Sequence, residues 1–113
     1  MTEDIQTPSS VMEEKRLELH NILVTALGTS HVYFQPPATV KMTYPAIIYN
    51  RDNIHDRFAN NKSYIRKYAY QVTVIDADPD SSIVEKVSLL PLARFERHFT
   101  SDNLNHDVFQ IYY

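Results

Sequence analysis

The chain contains a single glycine, Gly28, and this scarcity restricts both its fold and its chemistry. Phosphate-cradling loops, dinucleotide-binding turns and nucleophile elbows all need several glycines, because the backbone must approach a ligand closely there. None of these devices can be built with one glycine. The sequence therefore argues against most nucleotide-dependent enzymes and against α/β-hydrolases.

Gly28 itself is explained by the amphipathic helical pattern that it follows. Ser10 and Glu13 have the spacing of a capping box, in which the hydroxyl accepts an amide hydrogen bond and the glutamate reaches back. Apolar residues then recur at helical spacing up to Leu27, and a glycine directly after them favours the left-handed end of a helix. We expect a helix here, preceded by a flexible polar lead-in at residues 1–9.

The remaining chain alternates between strand patterns and one further helix. The strongest strand pattern is residues 64–76, in which apolar side chains occur on both faces. One face carries Tyr68, Tyr70, Val72 and Val74, and the other carries Ala69, Gln71, Thr73 and Ile75. A capping box at Ser82 and Glu85 predicts a second helix, which should end at Pro91. The other strand candidates are residues 31–35, 44–49, 93–100 and 107–113.

This order of elements, α-β-β-β-α-β-β, predicts a single α+β domain over residues 10–113. Runs of strands interrupted by two helices favour a mainly antiparallel sheet that is packed by those helices. Residues 50–63 are polar and charged, so we expect a long loop or a solvated hairpin tip there. A polar turn is expected at residues 101–106, between the last two strands.

Composition excludes several further classes of protein. Eleven basic and 14 acidic residues give a net charge of −3, so no overall field attracts the chain to DNA or to an anionic membrane. The chain has no cysteine, and so has no disulfide, thiol nucleophile or cysteine-ligated metal site. No apolar run reaches the roughly 20 residues of a membrane span, and the acidic N-terminus is unlike a signal peptide. We expect a soluble protein, made in a cytoplasm, with no membrane partner.

Asp76, Asp78 and Asp80 alternate along one segment, as do the first ligands of a calcium-binding loop. Counted from Asp76, however, Ser81 stands where such a loop needs glycine, and Val87 where it needs a bidentate glutamate. Aspartate also favours turns after strands, and Asp80, Ser81 or Ser82 can cap the next helix by accepting backbone hydrogen bonds. We therefore favour a structural role and keep a metal site as the alternative.

The five histidines show no metal-ligand or catalytic spacing. His98 and His106 lie on candidate neighbouring strands and could approach each other across a hairpin. We favour two solvent-facing side chains for this pair. The sequence thus predicts no catalytic residue, no cofactor site and no metal site.

The polar segment at residues 50–63 and its flanks form the most basic region, with apolar and aromatic side chains between the charges. Tyrosines beside cations are typical of nucleic-acid binding, which is one alternative for this segment. Because its charges have both signs, we favour contact with a protein neighbour. The predicted contact residues are Arg51, Asp52, Ile54, Asp56, Arg57, Phe58, Lys62 and Tyr64.

Several segments resemble those of one protein family. They are Phe-Gln-Pro-Pro and Tyr-Pro-Ala-Ile-Ile-Tyr within residues 34–49, Tyr-Gln-Val-Thr-Val-Ile-Asp and Asp-Pro-Asp-Ser within 70–82, and Asp-Asn-Leu-Asn-His at 102–106. With the order of elements, they resemble the small tail-terminator, or tail-completion, proteins of long-tailed bacteriophages and prophages. The resemblance covers residues 10–113 and includes no catalytic motif.

The resemblance implies a structural virion protein that forms a ring, commonly six-fold, on the end of the tail tube. Such a protein stops tube polymerisation and joins the tube to the head connector; it is not an enzyme and needs no cofactor. Its partners are copies of itself, the tail tube protein and neck proteins, and DNA passes through its channel without specific binding. It is made in the bacterial host cytoplasm and is located at the head–tail junction.

Three alternatives to the tail-terminator role stay open. The first is another neck component, such as a head-closure or head–tail joining protein. The second is a metal-dependent enzyme or metal-binding module that uses Asp76, Asp78 and Asp80. The third is a small nucleic-acid-binding accessory protein that uses residues 51–67.

Overall fold

The structure is a computed structural model that describes residues 10–59 and 63–113, without the side chains of residues 53–59 and 63–66. It is an α+β domain with the predicted order of elements. The elements are α1 (Val11–Leu27), β1 (Val32–Phe34), β2 (Ala46–Ala59), β3 (Ser63–Asp76), α2 (Ser82–Ser88), β4 (Ala93–Ser101) and β5 (Leu104–Tyr112). The predicted fold class is confirmed, and the predicted lead-in at residues 1–9 lies outside the described residues.

The strands form one mixed sheet in the order β1-β2-β3-β5-β4. β1 runs parallel to β2, and the other neighbouring pairs are antiparallel. β5, with its aromatic end at Tyr112, therefore lies inside the sheet between β3 and β4. This position covers a strand that would otherwise be an apolar edge.

Helix α1 begins and ends where the sequence predicts. The Ser10 hydroxyl accepts a hydrogen bond from the Glu13 amide at 3.0 Å. Gly28 adopts a φ of 87°, and its amide donates to the Val24 carbonyl at 2.8 Å. The helix packs on the sheet through Leu19 and Leu23, which lie one turn apart and are fully buried.

The helices cover one face of the sheet, and the alternation predicted for β3 is confirmed. The core on this face includes Tyr68, Tyr70, Val72 and Val74 of β3, together with Tyr49, Phe109, Ile111 and the buried face of α1. A second set of buried side chains lies outside that core, on the opposite face of the sheet. These are Ala46, Ala69, Ile75 and Val108.

Helix α2 is shorter than predicted, and its cap is the preceding serine. The cap is Ser81, not Ser82, because the Ser81 hydroxyl accepts from the Ile83 amide at 3.2 Å. The helix ends at Ser88 and stops short of Pro91. Two adjacent serines offer the same capping chemistry, so the sequence could not distinguish them.

Both hairpins have longer strands than predicted. Of the two expectations for residues 50–63, the loop is wrong for residues 50–59, which continue β2, and for Ser63, which begins β3. The antiparallel pairing of β2 with β3 agrees with the hairpin. The turn expected at residues 101–106 contains only Asp102 and Asn103, whose φ values are 54° and 63°. Two successive left-handed residues are typical of a tight type I′ hairpin, and Asp and Asn tolerate that conformation.

Candidate interaction surfaces

β2 and β3 extend beyond the rest of the sheet as a two-stranded ribbon. β1 pairs with β2 only as far as Tyr49, and β5 pairs with β3 only from Ala69 onwards. Residues 53–59 and 63–68, which we call the ribbon, therefore have no third strand beside them within the described chain, although the Tyr113 amide donates to the Tyr68 carbonyl at 2.9 Å. The radius of gyration is 15.6 Å, against about 13 Å for a compact chain of this length, which agrees with a projecting ribbon.

Two of the predicted contact residues, Arg51 and Asp52, lie at the base of the ribbon and are exposed. The Arg51 amide donates to the Gln35 side-chain oxygen at 3.2 Å, which satisfies one backbone group where β2 has passed the end of β1. Asp52 accepts a hydrogen bond from the Gln110 side chain at 3.0 Å. A β-bulge between Arg51 and Asn53 separates this base from the ribbon.

The other predicted contact residues are on the ribbon or beyond the described chain. The backbone places Ile54, Asp56, Arg57, Phe58 and Tyr64 on the two ribbon strands. In the strand register Phe58 stands opposite Tyr64. Lys62 lies outside the described residues. That these residues contact another protein stays a prediction.

Polar and aromatic side chains meet where α1 crosses the base of the ribbon. The His20 Nδ1 atom lies 2.8 Å from the Tyr49 hydroxyl, and the Arg16 guanidinium lies 4.4 Å from the centre of the Phe34 ring. Burial, followed by the nearby Arg16 charge, lowers the pKa of His20 below its ordinary 6.5. A neutral imidazole can accept a hydrogen bond from the Tyr49 hydroxyl at Nδ1, whereas a protonated imidazole cannot, so the lowered pKa favours this contact.

Tyr70 lies in the same cluster, with its ring 6.0 Å from that of Tyr49. Burial raises the pKa of both phenols, so both stay protonated at neutral pH. The Tyr70 hydroxyl is buried and has no hydrogen-bond partner among the residues that the structure describes. A buried donor without an acceptor costs stability, which makes this hydroxyl a weak point of the core.

Strand β4 is an exposed edge of the sheet. It pairs with β5 on one side, and no strand of the described chain pairs with its other side. Phe95 is 52% exposed and Phe99 is 39% exposed. Phe99 lies opposite His106, and a bulge between Phe95 and Arg97 then shifts the register so that Phe95 lies opposite Phe109. An open edge with apolar side chains can accept another strand.

Sequence analysis predicted the strand but not its edge position. Pairing order depends on contacts between distant parts of the chain, which local patterns do not encode. A weak signal was present in the charges of Arg94, Glu96 and Arg97, since charged residues are common on edge strands.

His98 and His106 lie on neighbouring strands, as predicted, but the two side chains do not meet. His98 stands opposite Asp107 and His106 opposite Phe99, so the histidines face opposite sides of the sheet. His98 Nδ1 lies 2.8 Å from the Asp107 carboxylate, and the His106 ring stacks on the Phe99 ring at 4.6 Å. The side chain of His98 is 43% exposed, so its ion pair with Asp107 contributes little stability.

The three aspartates carry the chain from β3 into α2 by successive turns. The Asp76 carboxylate accepts from the Asp78 amide at 3.0 Å, and the Asp78 carboxylate accepts from the Asp80 amide at 2.9 Å. The Asn105 side chain holds the same turn by donating to the Asp76 carbonyl at 3.2 Å. These bonds support the structural interpretation. Among the described residues no three histidine or acidic side chains are grouped as metal ligands would be.

The described part of the chain has no helix with the length and apolar character needed to cross a membrane. Comparison of the chain with protein-family models and with curated proteins found no match. The function must therefore be inferred from the surfaces themselves and from the sequence segments described above.

Proposed function

We propose that this protein is a ring-forming subunit of a bacteriophage virion, the tail terminator or tail-completion protein at the head–tail junction. In this role it caps the tail tube, joins it to the head connector and performs no bond-making chemistry. The observation that supports this proposal best is the exposed β4 edge, on the opposite side of the sheet from β2 and the ribbon. The phage role itself comes from the segments that resemble tail-terminator proteins.

A ring needs two different contact surfaces on each subunit, because head-to-tail contacts join unlike patches. The strand order provides two such surfaces, with β4 at one side of the sheet and β1 and β2 at the other. The ribbon strand at residues 53–59 is about 20 Å long at the usual rise per residue. That length is sufficient to reach a neighbouring subunit.

The β4 edge has the chemistry of a contact surface. Its outer backbone N–H and C=O groups can pair with another strand, and Phe95 and Phe99 supply apolar area on the two faces. Burying the exposed fractions of both rings contributes about 2 kcal/mol per interface, since a fully exposed phenylalanine contributes about 1.5–3 kcal/mol. In a closed ring each subunit makes two such contacts, so a modest free energy at each contact is sufficient to hold the subunit in the ring.

The net charge of −3 also suits a channel through which DNA must pass without adhering. An isolated subunit is therefore expected not to bind duplex DNA at physiological salt. Strong duplex binding would contradict this part of the proposal.

The test is genetic complementation of the phage whose genome encodes this chain. Deleting the gene is expected to give tails of abnormal length and unattached heads, and the wild-type gene should restore normal virions. A gene with Phe95→Lys and Phe99→Lys should fail to restore them, whereas Val11→Lys, at an exposed apolar residue of α1, should succeed. Deletion that leaves tails of normal length with unattached heads would assign another neck role. Normal virions without the gene would refute both roles.

A further inference from the structure

The connection between α2 and β4 is apolar and exposed. It reads Leu89-Leu90-Pro91-Leu92, whereas surface connections are ordinarily polar. The side chain of Leu89 is 83% exposed and that of Leu92 is 56% exposed. We call residues 89–92 the leucine turn. Leu90 is partly buried against the core, so Leu89 and Leu92 form the exposed apolar surface of this turn. Exposed apolar patches are a feature of binding surfaces.

The leucine turn is held firmly by backbone hydrogen bonds. The Ala93 amide donates to the Leu90 carbonyl at 3.2 Å, and the Tyr112 amide donates to the Leu92 carbonyl at 3.3 Å. Leu92 has a φ of 61°, a left-handed conformation that is unfavourable for leucine. The bonds to β5 thus maintain a strained residue whose side chain faces outward, and such strain is often found at functional positions.

A groove separates the leucine turn from α1. It consists of two cavities of about 350 Å³ and 580 Å³, and both are lined by Ile22 and Leu90. The lining follows α1 from Lys15 to Ala26, which is about 16 Å or three helical turns. These dimensions match a short helix lying alongside α1.

The rim of the groove is basic, although the chain as a whole is acidic. Lys15, Lys67 and Lys86 line it, and its one acidic residue is Glu18. Glu18 already accepts a hydrogen bond from the Tyr113 hydroxyl at 2.8 Å. Lys15 Nζ donates a hydrogen bond to the Tyr113 main-chain oxygen at 3.3 Å, which holds that side chain at the rim. The groove therefore offers positive charge around an apolar floor, on a protein whose net charge is −3.

We propose that this groove binds an acidic amphipathic helix of another protein. The apolar side of that helix packs on Ile22, Leu90 and Leu92, and its carboxylates face the lysines. This is the helix-in-groove mode of recognition, in which apolar anchors recur at positions i, i+4 and i+7. The proposal does not depend on the ring, because it uses neither Phe95 nor Phe99.

The test is a nuclear magnetic resonance titration of the whole chain with a synthetic helical peptide of about four turns. The peptide carries leucines at i, i+4 and i+7 and glutamates on its other faces. Shifts are expected at the amides of Ile22, Leu90 and Leu92, and affinity should fall as salt is added. One control peptide has the same composition with scrambled leucine spacing, and another has lysines in place of the glutamates. Neither should bind comparably.

Leu92→Asn is the most informative variant, because asparagine tolerates the left-handed conformation while the apolar anchor is lost. It should fold at least as stably as wild type and bind the peptide about tenfold more weakly. Phe99→Gln, on the β4 edge, should leave peptide affinity unchanged.

Three results would overturn the proposal. The first is an absence of groove shifts at millimolar peptide, and the second is equal binding by a control peptide or by Leu92→Asn. The third is concentration-dependent shifts of the same amides without peptide, which would assign the groove to a second copy of the chain.

Discussion

Tyr49 and Tyr70 provide a matched test of how polar groups are satisfied in this core. Both side chains are fully buried on the helix-covered face, and their rings are 6.0 Å apart. Only the Tyr49 hydroxyl has a partner, His20 at 2.8 Å, whereas the Tyr70 hydroxyl has none among the described residues. The same change, tyrosine to phenylalanine, should therefore have opposite effects at the two positions.

The expected changes in the free energy of unfolding follow from the surroundings of the two hydroxyl groups. A buried polar group without a partner costs about 1–3 kcal/mol, so Tyr70→Phe should be neutral or should raise the free energy of unfolding by up to about 1 kcal/mol. Tyr49→Phe removes a hydrogen bond and leaves the Nδ1 atom of the half-buried His20 without its donor, so it should lower that free energy by about 1–2 kcal/mol. The two variants should thus differ by about 2 kcal/mol.

Urea unfolding at one protein concentration, followed by circular dichroism, measures both variants against the wild type. Equal slopes would show that the midpoints report stability alone. In melting temperature the two variants should differ by about 10 °C, at roughly 4–8 °C per kcal/mol for a domain of this size. If Tyr70→Phe destabilises the protein as much as Tyr49→Phe, the Tyr70 hydroxyl has a partner and the reasoning is refuted.

Three further predictions concern local features. Gly28→Ala should lower the free energy of unfolding by about 1 kcal/mol, because alanine is strained at a φ of 87°; an unchanged urea midpoint would contradict this. Asn103→Gly should raise it by up to about 1 kcal/mol, since glycine adopts the left-handed turn conformation freely, and a lower melting temperature would count against the type I′ turn. Because the pKa of His20 is lowered on folding, the unfolded chain binds the proton first, so stability should fall as the pH drops below about 6.5 until the folded pKa is passed. The urea midpoints at about pH 7.5 and pH 5.5 should differ less in His20→Gln than in wild type. An equal difference would show that His20 does not cause the pH dependence of stability.

Features of the fold that depend on neighbouring residues could be predicted from the sequence. The caps of α1 at Ser10 and Gly28 depend on residues within four positions, and both are where the pattern places them. The alternation of β3 also predicted which of its side chains share a face of the sheet, because successive residues of a strand point to opposite faces.

For residues 50–59 the choice between a loop and a hairpin tip stayed open, because this segment is polar and charged and lacks the apolar alternation of a strand. The bulges next to Asp52 and Glu96 were also beyond prediction, since each reflects a register set by a distant partner strand. The tight turn at Asp102 and Asn103 sets the register that places His98 opposite Asp107, which explains why the possible contact with His106 does not form.

The candidate surfaces were predicted only in part. Arg51 and Asp52 are exposed at the base of the ribbon, as a contact role requires, but the β4 edge and the groove were missed. Leu89 and Leu90 were included in a helix expected to end at Pro91, and this concealed an exposed turn. The run of three leucines and a proline was the available signal for that surface.

The most direct test of the proposed function is electron cryomicroscopy of the head–tail junction in virions of the phage that encodes this chain. The account predicts a closed ring of identical copies on the end of the tail tube, with β4 of each subunit against the β2 side of the next. A junction whose density is fully explained by other proteins, or copies of this chain located elsewhere in the virion, would contradict it.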